Sequence, residues 1–177
     1  VIKLNDCFSG LGNVILEVDG LADPLPTSKS VFCSEEENWP SYIVKMATQG
    51  AVVEELLRAP ELRSPTVQLR ISPAGALEIL STHDQILGGP QNQVYLGCRF
   101  PAHPDYRLRI QQEALKIGEV LAAEGVVGAF GIDFLVVGDD VYLSEINLRL
   151  GGTTHPFWMA RLATGSRYDL ASGELRR

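Results

Sequence analysis

Residues 130–147 constrain the fold more than any other stretch, because their pattern predicts two strands joined by a tight turn. The predicted strands cover residues 130–137 and 141–147, and the triplet between them, Gly138-Asp139-Asp140, is typical of a hairpin turn. A turn of that length opposes specific side chains: Val137 with Val141, Leu135 with Leu143, and Asp133 with Glu145. The other face then carries the predicted core residues Ile132, Phe134 and Val136.

Asp133 and Glu145 make an unfavourable pair when they oppose each other. The Cβ atoms of opposed residues lie roughly 5 Å apart, so two like charges there destabilise a sheet. A divalent cation bound by oxygen ligands offsets that repulsion. Asn147 lies two residues beyond Glu145 and shares its face, while Arg149 offers a planar fork of donors to phosphate or carboxylate oxygens. The spacing therefore predicts a metal and phosphate site.

Two other interpretations of this hairpin stay open. Carboxylates on an edge strand are commonly just solvated. A two-residue turn would shift the pairing by one residue and place the carboxylates of Asp133 and Glu145 on opposite faces of the sheet.

The rest of the pattern predicts an α+β fold with a mainly antiparallel sheet and packed helices, because short turns join most strands. Strands are predicted over residues 1–4, 13–18, 51–57, 66–71, 76–81 and 93–99, and a mobile loop over 19–30. Helices are predicted over residues 40–48, 106–123 and 156–163.

Composition excludes several classes of protein. The net charge of −7 and the lack of a Lys/Arg stripe argue against a nucleic-acid partner, and no apolar run is long enough to span a membrane. Cys7, Cys33 and Cys98 are widely spaced and predict reduced thiols in a cytoplasmic protein, with Cys98 in the core. The chain opens within a predicted strand and without methionine, so we expect a piece of a longer protein. No feature of the sequence reports its oligomeric state.

Two further stretches can bind anions. Ser9-Gly10-Leu11-Gly12-Asn13 is a glycine-rich turn preceded by Lys3, and glycines let backbone N–H groups approach a phosphate closely. A plain flexible hairpin is the other interpretation of that turn. Residues 151–155, Gly-Gly-Thr-Thr-His, equally predict an anion-binding turn or a linker to a capped helix. The stretch 52–57 contains Glu54 and Glu55, and its pattern alone favours an ordinary strand followed by an acidic turn.

With these motifs the sequence resembles the ATP-grasp superfamily, in which a strand Asp and a following Glu-x-Asn bind magnesium that bridges the phosphates of ATP. The sequence is most similar to the pheganomycin-type peptide ligases, a carboxylate–amine ligase group. The segments that carry this similarity are SPTVQLR (64–70), STHDQILGG (81–89), YLGCRFP (95–101) and EINLRLGGTTHP (145–156). The resemblance extends over nearly the whole chain and implies metal ligands Asp133, Glu145 and Asn147. It also implies ATP with two Mg²⁺ ions, for which Mn²⁺ can substitute.

The resemblance implies roles for other residues as well. Lys3 corresponds to the lysine on the α and β phosphates, and the loop that covers the phosphates corresponds to Ser9, Gly10, Gly12 and Asn13. Either Glu54 or Glu55 faces adenine together with the Leu57 backbone, and Glu61 binds the ribose. Several relatives have a basic residue for the γ-phosphate near His83, where this chain has Gln85. Arg149 and Arg70 are the predicted catalytic residues, and Arg70 or Arg99 can replace that missing cation.

The implied architecture is an ATP-grasp fold fragment, with a lid hairpin region over residues 1–57 and a catalytic sheet domain over residues 58–177, truncated at both ends, and with ATP between them. The implied reaction joins a small-molecule carboxylate to an amine or peptide through an acylphosphate, with no nucleophilic side chain. Two alternatives stay open: a non-catalytic nucleotide-binding module, and an ATP-grasp kinase or carboxylase. The same metal ligands serve all three.

Overall fold

The computed structural model describes residues 1–17 and 29–177. The last residue of the strand predicted over 13–18 and most of the loop predicted over 19–30 lie outside the described residues. The described chain forms two compact units, one built from Val1–Arg58 and Leu87–Leu96, the other from Ala59–Ile86 and Gly97–Arg177.

The first unit contains a four-stranded antiparallel sheet and one helix. The strand order is β3-β2-β1-β4, formed by β1 (Ile2–Leu4), β2 (Asn13–Leu16), β3 (Ser30–Phe32) and β4 (Ala51–Val53). Tyr42 anchors the helix α1 (Trp39–Gln49) to this sheet: it is fully buried, and its hydroxyl is in hydrogen-bonding contact with the carbonyl oxygens of Ile2 (3.1 Å) and Gly12 (2.8 Å). The helix begins after Asn38, which forms a capping box with Ser41.

The second unit contains most of a five-stranded sheet of order β7-β6-β5-β8-β9; the end of β6 and the start of β7 lie in Leu87–Leu96 and belong to the first unit. The strands are β5 (Pro65–Ile71), β6 (Leu77–Gly88), β7 (Val94–Arg99), β8 (Gly128–Val137) and β9 (Asp140–Asn147). One face of the sheet packs on the helix α2 (Pro104–Ala123) through a buried apolar core that includes Val67, Leu69, Ile110, Phe130, Ile132 and Phe134. The predicted core face of the 130–147 hairpin is therefore confirmed.

The chain continues from β9 into the helix α3 (Thr154–Thr164) and a small hairpin of β10 (Arg167–Asp169) and β11 (Glu174–Arg176). The Tyr168 hydroxyl lies 2.6 Å from the Gln111 Oε1 atom of α2 and 3.0 Å from the Thr82 hydroxyl, so this hairpin is fixed to the second unit. None of the helices in residues 1–17 and 29–177 is long and apolar enough to cross a membrane.

The predicted α+β class with a mainly antiparallel sheet is confirmed, as are the three helices to within a few residues. Five details of the prediction were wrong. The strand predicted over 51–57 ends at Val53, and the one predicted over 76–81 continues to Gly88, pairing with β5 from Leu77 to Asp84. Neither β3 nor the β10–β11 hairpin was predicted. Cys98 is half-buried rather than in the core, and the three cysteines are free.

Candidate metal and phosphate site

Asp133 and Glu145 oppose each other across β8 and β9, as predicted, but by a different route. Val137 pairs with Asp140 rather than Val141, and Leu135 pairs with Tyr142 rather than Leu143. The turn therefore has two residues, and that shift alone would separate the two carboxylates. A β-bulge reverses the shift: Phe134 pairs with Leu143 while Asp133 pairs with Glu145, so Ser144 has no residue opposite it.

The two-residue turn consists of Gly138 and Asp139, and its conformation explains why the three-residue prediction was wrong. Gly138 has a φ of 56°, which suits the first position of a tight hairpin turn. Arg109 of α2 also holds the turn, because its guanidinium donates to Asp139 Oδ1 at 3.1 Å and to the Gly138 carbonyl oxygen at 3.4 Å. A contact from a helix remote in sequence cannot be read from the hairpin itself.

Asp133 lies in an environment that disfavours its negative charge. Burial raises its pKa to about 6, and the charge of Glu145 raises it as well. Hydrogen bonds from the side chains of Thr66 and Gln85 and the charge of Arg149 act in the opposite direction. Asn147 adds a further donor, because its Nδ2 atom lies 3.2 Å from Asp133 Oδ2. The protein therefore surrounds this carboxyl with donors yet leaves it short of positive charge.

The donor set fits Mg²⁺ bound together with substrate phosphates. Magnesium prefers oxygen ligands and is commonly held by only one or two carboxylates, with waters and phosphate oxygens completing the octahedron. Asp133 and Glu145 supply two carboxylates. Asn147 contacts Asp133 through its side-chain nitrogen, so its side-chain oxygen, Oδ1, is left to bind an ion. Among the residues that the structure describes, no cluster of three or more His, Cys, Asp or Glu could hold a metal ion by itself.

On the face of the sheet that carries Asp133, the neighbouring positions of β5 and β6 are buried and polar, which the sequence pattern did not predict. Thr66 of β5 pairs with Asp133 on one side and with His83 on the other, and Gln68 pairs with Gly131 and with Ser81. Helix α3 covers part of this face, since Thr154 bonds Gln68 and the Phe157 ring lies 6.2 Å from the His83 ring. The signal was available in SPTVQLR, where Thr66 and Gln68 alternate with Val67 and Leu69.

His83 and Gln85 do not supply the positive charge expected near the γ-phosphate. His83 is 1% exposed, and burial lowers its pKa to about 4, so the imidazole is neutral at pH 7. Its Nε2 atom lies 2.8 Å from the Ser81 hydroxyl, and its Nδ1 atom has no hydrogen-bond partner among the residues that the structure describes. The Gln85 side chain instead hydrogen-bonds the Asp133 carboxyl.

The two predicted catalytic arginines occupy different surroundings. Arg149 is exposed, its backbone N–H donates to the Asn147 carbonyl oxygen at 2.7 Å, and its charge acts on Asp133. Arg70 pairs with Ala129, about 13 Å along β8 from the pair that contains Asp133. Its guanidinium forms an ion pair with Glu78 at 3.1 Å. The structure thus brings Arg149, but not Arg70, close to the predicted metal ligands.

In the first unit, the structure brings together two residues with different predicted roles. Lys3 Nζ lies 2.7 Å from Glu54 Oε2, so the carboxylate next to the lysine is that of Glu54 rather than Glu55. Glu55 is exposed, and Leu57 is half-buried beyond the end of β4. Glu61 is an exposed turn residue of the second unit. The roles of all four in nucleotide binding remain predictions.

The glycine-rich turn is held against the segment that follows β6. Ser9 and Gly10 both have positive φ values, 57° and 77°. The Ser9 carbonyl oxygen accepts from the Tyr95 N–H at 3.2 Å, and Asn13 Nδ2 donates to Gln93 Oε1 at 3.3 Å. The N–H groups of Leu11 and Asn13 bond within the turn, to Phe8 and Gly10. Hydrogen bonds to neighbouring residues of the first unit therefore hold the turn, and the N–H groups of Leu11 and Asn13 already donate to backbone carbonyl oxygens.

Residues 151–155 form a turn into α3. The backbone N–H of Gly151 donates to the Thr154 hydroxyl at 3.0 Å, and the Thr154 N–H donates to the Gly151 carbonyl oxygen at 3.1 Å. Thr153 occupies the N-cap position without a side-chain cap bond, and His155 is exposed. A turn, rather than an extended linker, therefore joins Arg149 to the helix.

A sequence model of the family described as "IQCH-like, ATP-grasp" matches residues 18–145. The L-propargylglycine–L-glutamate ligase of Streptantibioticus cattleyicolor is 37% identical over 173 residues, which cover 95% of this chain and 34% of that protein. The chain thus spans about a third of the length of the curated relative that it matches.

Two solved structures have a similar fold. The biotin carboxylase domain of Hydrogenobacter thermophilus 2-oxoglutarate carboxylase, in complex with MgADP, ADP and bicarbonate, has a TM-score of 0.57 and 16% identity, covering 94% of this chain and 36% of that one. The Campylobacter jejuni biotin carboxylase–β,γ-ATP complex has a TM-score of 0.54 and 23% identity, covering 67% of this chain and 27% of that one. At these identities the likeness concerns the fold alone.

Proposed function

The chain belongs to the IQCH-like ATP-grasp family, and from that premise we propose that the protein is an ATP- and magnesium-dependent ligase that joins a carboxylate to an amine. The observation that carries this proposal is the opposition of Asp133 and Glu145, with Asn147 bonded to the half-buried Asp133 carboxyl. The ligase class is supported by the similarity to L-propargylglycine–L-glutamate ligase. The substrates proposed are small amino acids or peptides.

In this proposal Asp133, Glu145 and Asn147 hold Mg²⁺ through their side-chain oxygens. The ion, when bound, supplies the positive charge that neutralises the oxygens of the triphosphate. We propose two ions shared by these ligands, with Mn²⁺ able to replace Mg²⁺. The raised pKa of Asp133 supports the assignment, because a carboxyl in a buried position beside a second carboxylate gains more from a bound cation than an exposed one does.

The remaining residues position the reactants and stabilise charge. Arg149 presents its fork of donors to the phosphoryl group that is transferred, where negative charge builds up. Lys3 and the turn with Ser9, Gly10, Gly12 and Asn13 are proposed for the α and β phosphates. Glu54, or alternatively Glu55, is proposed for adenine together with the Leu57 backbone, and Glu61 is proposed for the ribose. The catalytic contribution is positioning and charge neutralisation, as in other phosphoryl transfers.

The proposed reaction has two steps. An oxygen of the substrate carboxylate attacks the γ-phosphorus of ATP, the bond to the bridging oxygen breaks, and ADP leaves. The amine nitrogen then attacks the acyl carbon of the resulting acylphosphate, the bond from that carbon to the bridging oxygen breaks, inorganic phosphate leaves with the bridging oxygen, and the nitrogen loses a proton. No side chain becomes covalently modified in the proposed reaction. A cytoplasmic location belongs to the same proposal.

The identity of the product tests this function. The intact protein is incubated with ATP, Mg²⁺ and pairs of amino acids, including L-propargylglycine with L-glutamate, and the products are identified by mass spectrometry. An amide together with ADP and phosphate supports the ligase. Hydroxylamine added with the acid alone should trap the acylphosphate as a hydroxamate. A stable phosphate ester would indicate a kinase, and nucleotide binding without ADP release across the panel would indicate a non-catalytic module.

A further inference from the structure

A line of hydrogen bonds, most of it buried, leads from the start of α3 to Thr66, the residue that pairs with Asp133 in the sheet. The Gly151 N–H donates to Thr154 Oγ1 at 3.0 Å, and the Thr154 hydroxyl donates to Gln68 Oε1 at 3.2 Å. Gln68 Nε2 donates to Thr66 Oγ1 at 3.3 Å. Thr66 in turn donates to the Ile132 carbonyl oxygen at 3.2 Å, and its hydroxyl lowers the pKa of Asp133. Thr66, Gln68 and Thr154 are 2%, 6% and 5% exposed, so water competes little for these bonds.

The donors and acceptors in this line all run in one direction. Because the oxygen of Thr154 accepts from Gly151, its proton is free to meet the oxygen of the Gln68 amide. The amide nitrogen then faces Thr66 and can only donate. Thr66 has one proton for two neighbouring acceptors, the Ile132 carbonyl oxygen at 3.2 Å and the Asp133 carboxyl. In the structure the proton meets the Ile132 carbonyl oxygen, but a charged acceptor binds a proton more strongly than a neutral one, so we expect ionised Asp133 to compete for it.

The sequence leaves room for the Gln68 amide by placing glycine beneath it. A Cβ atom at Gly131 would lie 2.6 Å from Gln68 Nε2, closer than real Cβ atoms come to a neighbour. Gly131 does not have a positive φ, so its backbone conformation does not require glycine. The glycine instead leaves space for the Gln68 amide, which a Cβ atom at residue 131 would push aside. Gly131 also pairs with Asn147, which brings the amide to the row of the sheet next to Asp133.

We propose that Gln68 is a positioning residue for the metal site: it links the Gly151–Thr154 turn to Thr66 and thereby holds the Asp133 carboxylate in the orientation that binds the cation. The proposal rests on the proposed function, since it requires a cation at Asp133. Outer partners of this kind orient metal ligands, and their loss typically weakens metal affinity or activity about 10- to 100-fold. Gly151 lies two residues beyond Arg149, so the hydrogen bonds from Gly151 through Thr154 and Gln68 also connect the segment that carries Arg149 to the neighbour of Asp133.

The test replaces Gln68 by methionine, which has a similar length and no amide, in the intact protein. The quantity measured is the Mg²⁺ concentration that gives half-maximal ADP release at saturating ATP and substrates. We expect it to rise about tenfold, and excess Mg²⁺ to restore most of the maximal rate. Ser81→Ala is the matched control: Ser81 faces Gln68 on the same buried face but bonds His83. It should leave the Mg²⁺ dependence unchanged.

Two further changes keep the test decisive if Gln68→Met folds poorly. Thr154→Val replaces the hydroxyl by a methyl group, whereas Thr154→Ser keeps the hydroxyl. The valine variant should therefore need more Mg²⁺, and the serine variant should behave as wild type. Gly131→Ala should displace the amide and raise the Mg²⁺ requirement in the same way. Thermal unfolding without metal separates this effect from general destabilisation, which would lower the maximal rate at every Mg²⁺ concentration.

The outcomes separate this inference from the proposed function. Wild-type Mg²⁺ dependence in both Gln68→Met and Thr154→Val, with an inactive Asp133→Asn, would overturn the positioning role and leave the metal site in place. A fully active Asp133→Asn would overturn both, because no carboxylate would then need positioning. An increased Mg²⁺ requirement in Ser81→Ala equal to that in Gln68→Met would also overturn the positioning role.

Discussion

Asp133 of β8 lies directly opposite Glu145 of β9, and burial beside that second carboxylate raises the pKa of Asp133 to about 6. A sheet gains nothing from two opposed acids. Removing either negative charge should therefore leave the metal-free fold as stable as before, or more so, while it removes a ligand from the proposed ion. The pair thus separates stability from function.

Asp133→Asn and Glu145→Gln test that separation. We expect either change to reduce Mg²⁺-dependent ADP release by at least about 100-fold, because an amide is a far weaker ligand for a hard cation than a carboxylate. Thermal unfolding in the absence of metal should be unchanged or occur at higher temperature. Asp140→Asn, an exposed acid in the same hairpin, is the matched control and should turn over normally. Normal turnover in either ligand variant would remove that residue from the site.

Lys3 provides a test in the first unit. Its ammonium contacts Glu54, and we predict that it also contacts the α and β phosphates of ATP. Lys3→Met should raise the KM for ATP about tenfold, which corresponds to the loss of one charge-assisted hydrogen bond. Lys45→Met is the matched control, because Lys45 forms an ion pair with Glu37 in the same unit. An equal rise in KM for the two variants would show that the effect is not specific to Lys3.

The hairpin shows how far sequence patterns reach. Alternation with a period of two identified Ile132, Phe134 and Val136 as core residues. The opposition of Asp133 and Glu145 was predicted from a three-residue turn without a bulge, whereas the structure reaches it with a two-residue turn and a bulge at Ser144. The contact of Arg109 with the turn comes from outside the hairpin, so the pattern of the hairpin could not reveal it. Two errors of one residue cancelled in the prediction.

The buried polar face shows a second limit. Gln68 and Thr154 are 86 residues apart, so no local pattern pairs them. Their polar side chains were visible, but a polar residue that alternates with apolar ones normally predicts a solvated face. What buries them is α3, whose position depends on the chain returning across the sheet after β9. Only the fold could identify Thr66 and Gln68 as neighbours of the metal ligands.

His83 makes stability depend on pH. In the folded state its pKa is lowered to about 4 from the ordinary 6.5 because burial disfavours the charged ring, and its contacts Ser81, Phe100 and Phe157 carry no charge. The unfolded chain therefore binds a proton between pH 6.5 and 4 that the folded chain does not. This contribution to stability is present above pH 6.5 and is lost as the pH falls toward 4.

The expected loss between pH 7 and pH 5 is about 2 kcal/mol for this one histidine. Denaturant unfolding of the wild type and of His83→Gln at both pH values measures it. Glutamine can still bond Ser81 but does not titrate, so the stability advantage of the wild type over the variant should shrink by that amount on acidification. A difference that stays constant with pH would mean that His83 is charged, or already solvated, in the folded protein.

Gly10 tests the glycine-rich turn. Its φ of 77° and its contact with the Gln93 carbonyl oxygen, 1.9 Å from where a Cβ atom would lie, both require glycine. Gly10→Ala should therefore move the turn and raise the KM for ATP about tenfold, if the turn covers the phosphates as predicted. Gly75→Ala is the control, since Gly75 has a φ of 78° with nothing within 4 Å of an added Cβ. It should cost about 1 kcal/mol of stability and leave KM unchanged.

Arg149 and Arg70 were both predicted to be catalytic, and their surroundings now rank them. The charge of Arg149 reaches Asp133, whereas Arg70 is in an ion pair with Glu78 further along the sheet. Arg149→Met should reduce kcat about 100-fold or more with a smaller change in KM for ATP, because a donor to the transferred phosphoryl group acts mainly in the transition state. Arg149→Lys should recover little of the rate, since an ammonium cannot replace the planar fork.

Arg70→Met completes the comparison. Its side chain is exposed and already neutralised by Glu78, so we expect its kcat to fall less than about tenfold. Both variants are compared at saturating Mg²⁺, ATP and substrates. Under these conditions kcat reports how well the transferred phosphoryl group is stabilised in the transition state, and not how tightly the substrates bind. A loss in Arg70→Met as large as that in Arg149→Met would mean that Arg70 leaves Glu78 and reaches the phosphate during turnover. Arg70 would then supply the cation that His83 and Gln85 do not provide.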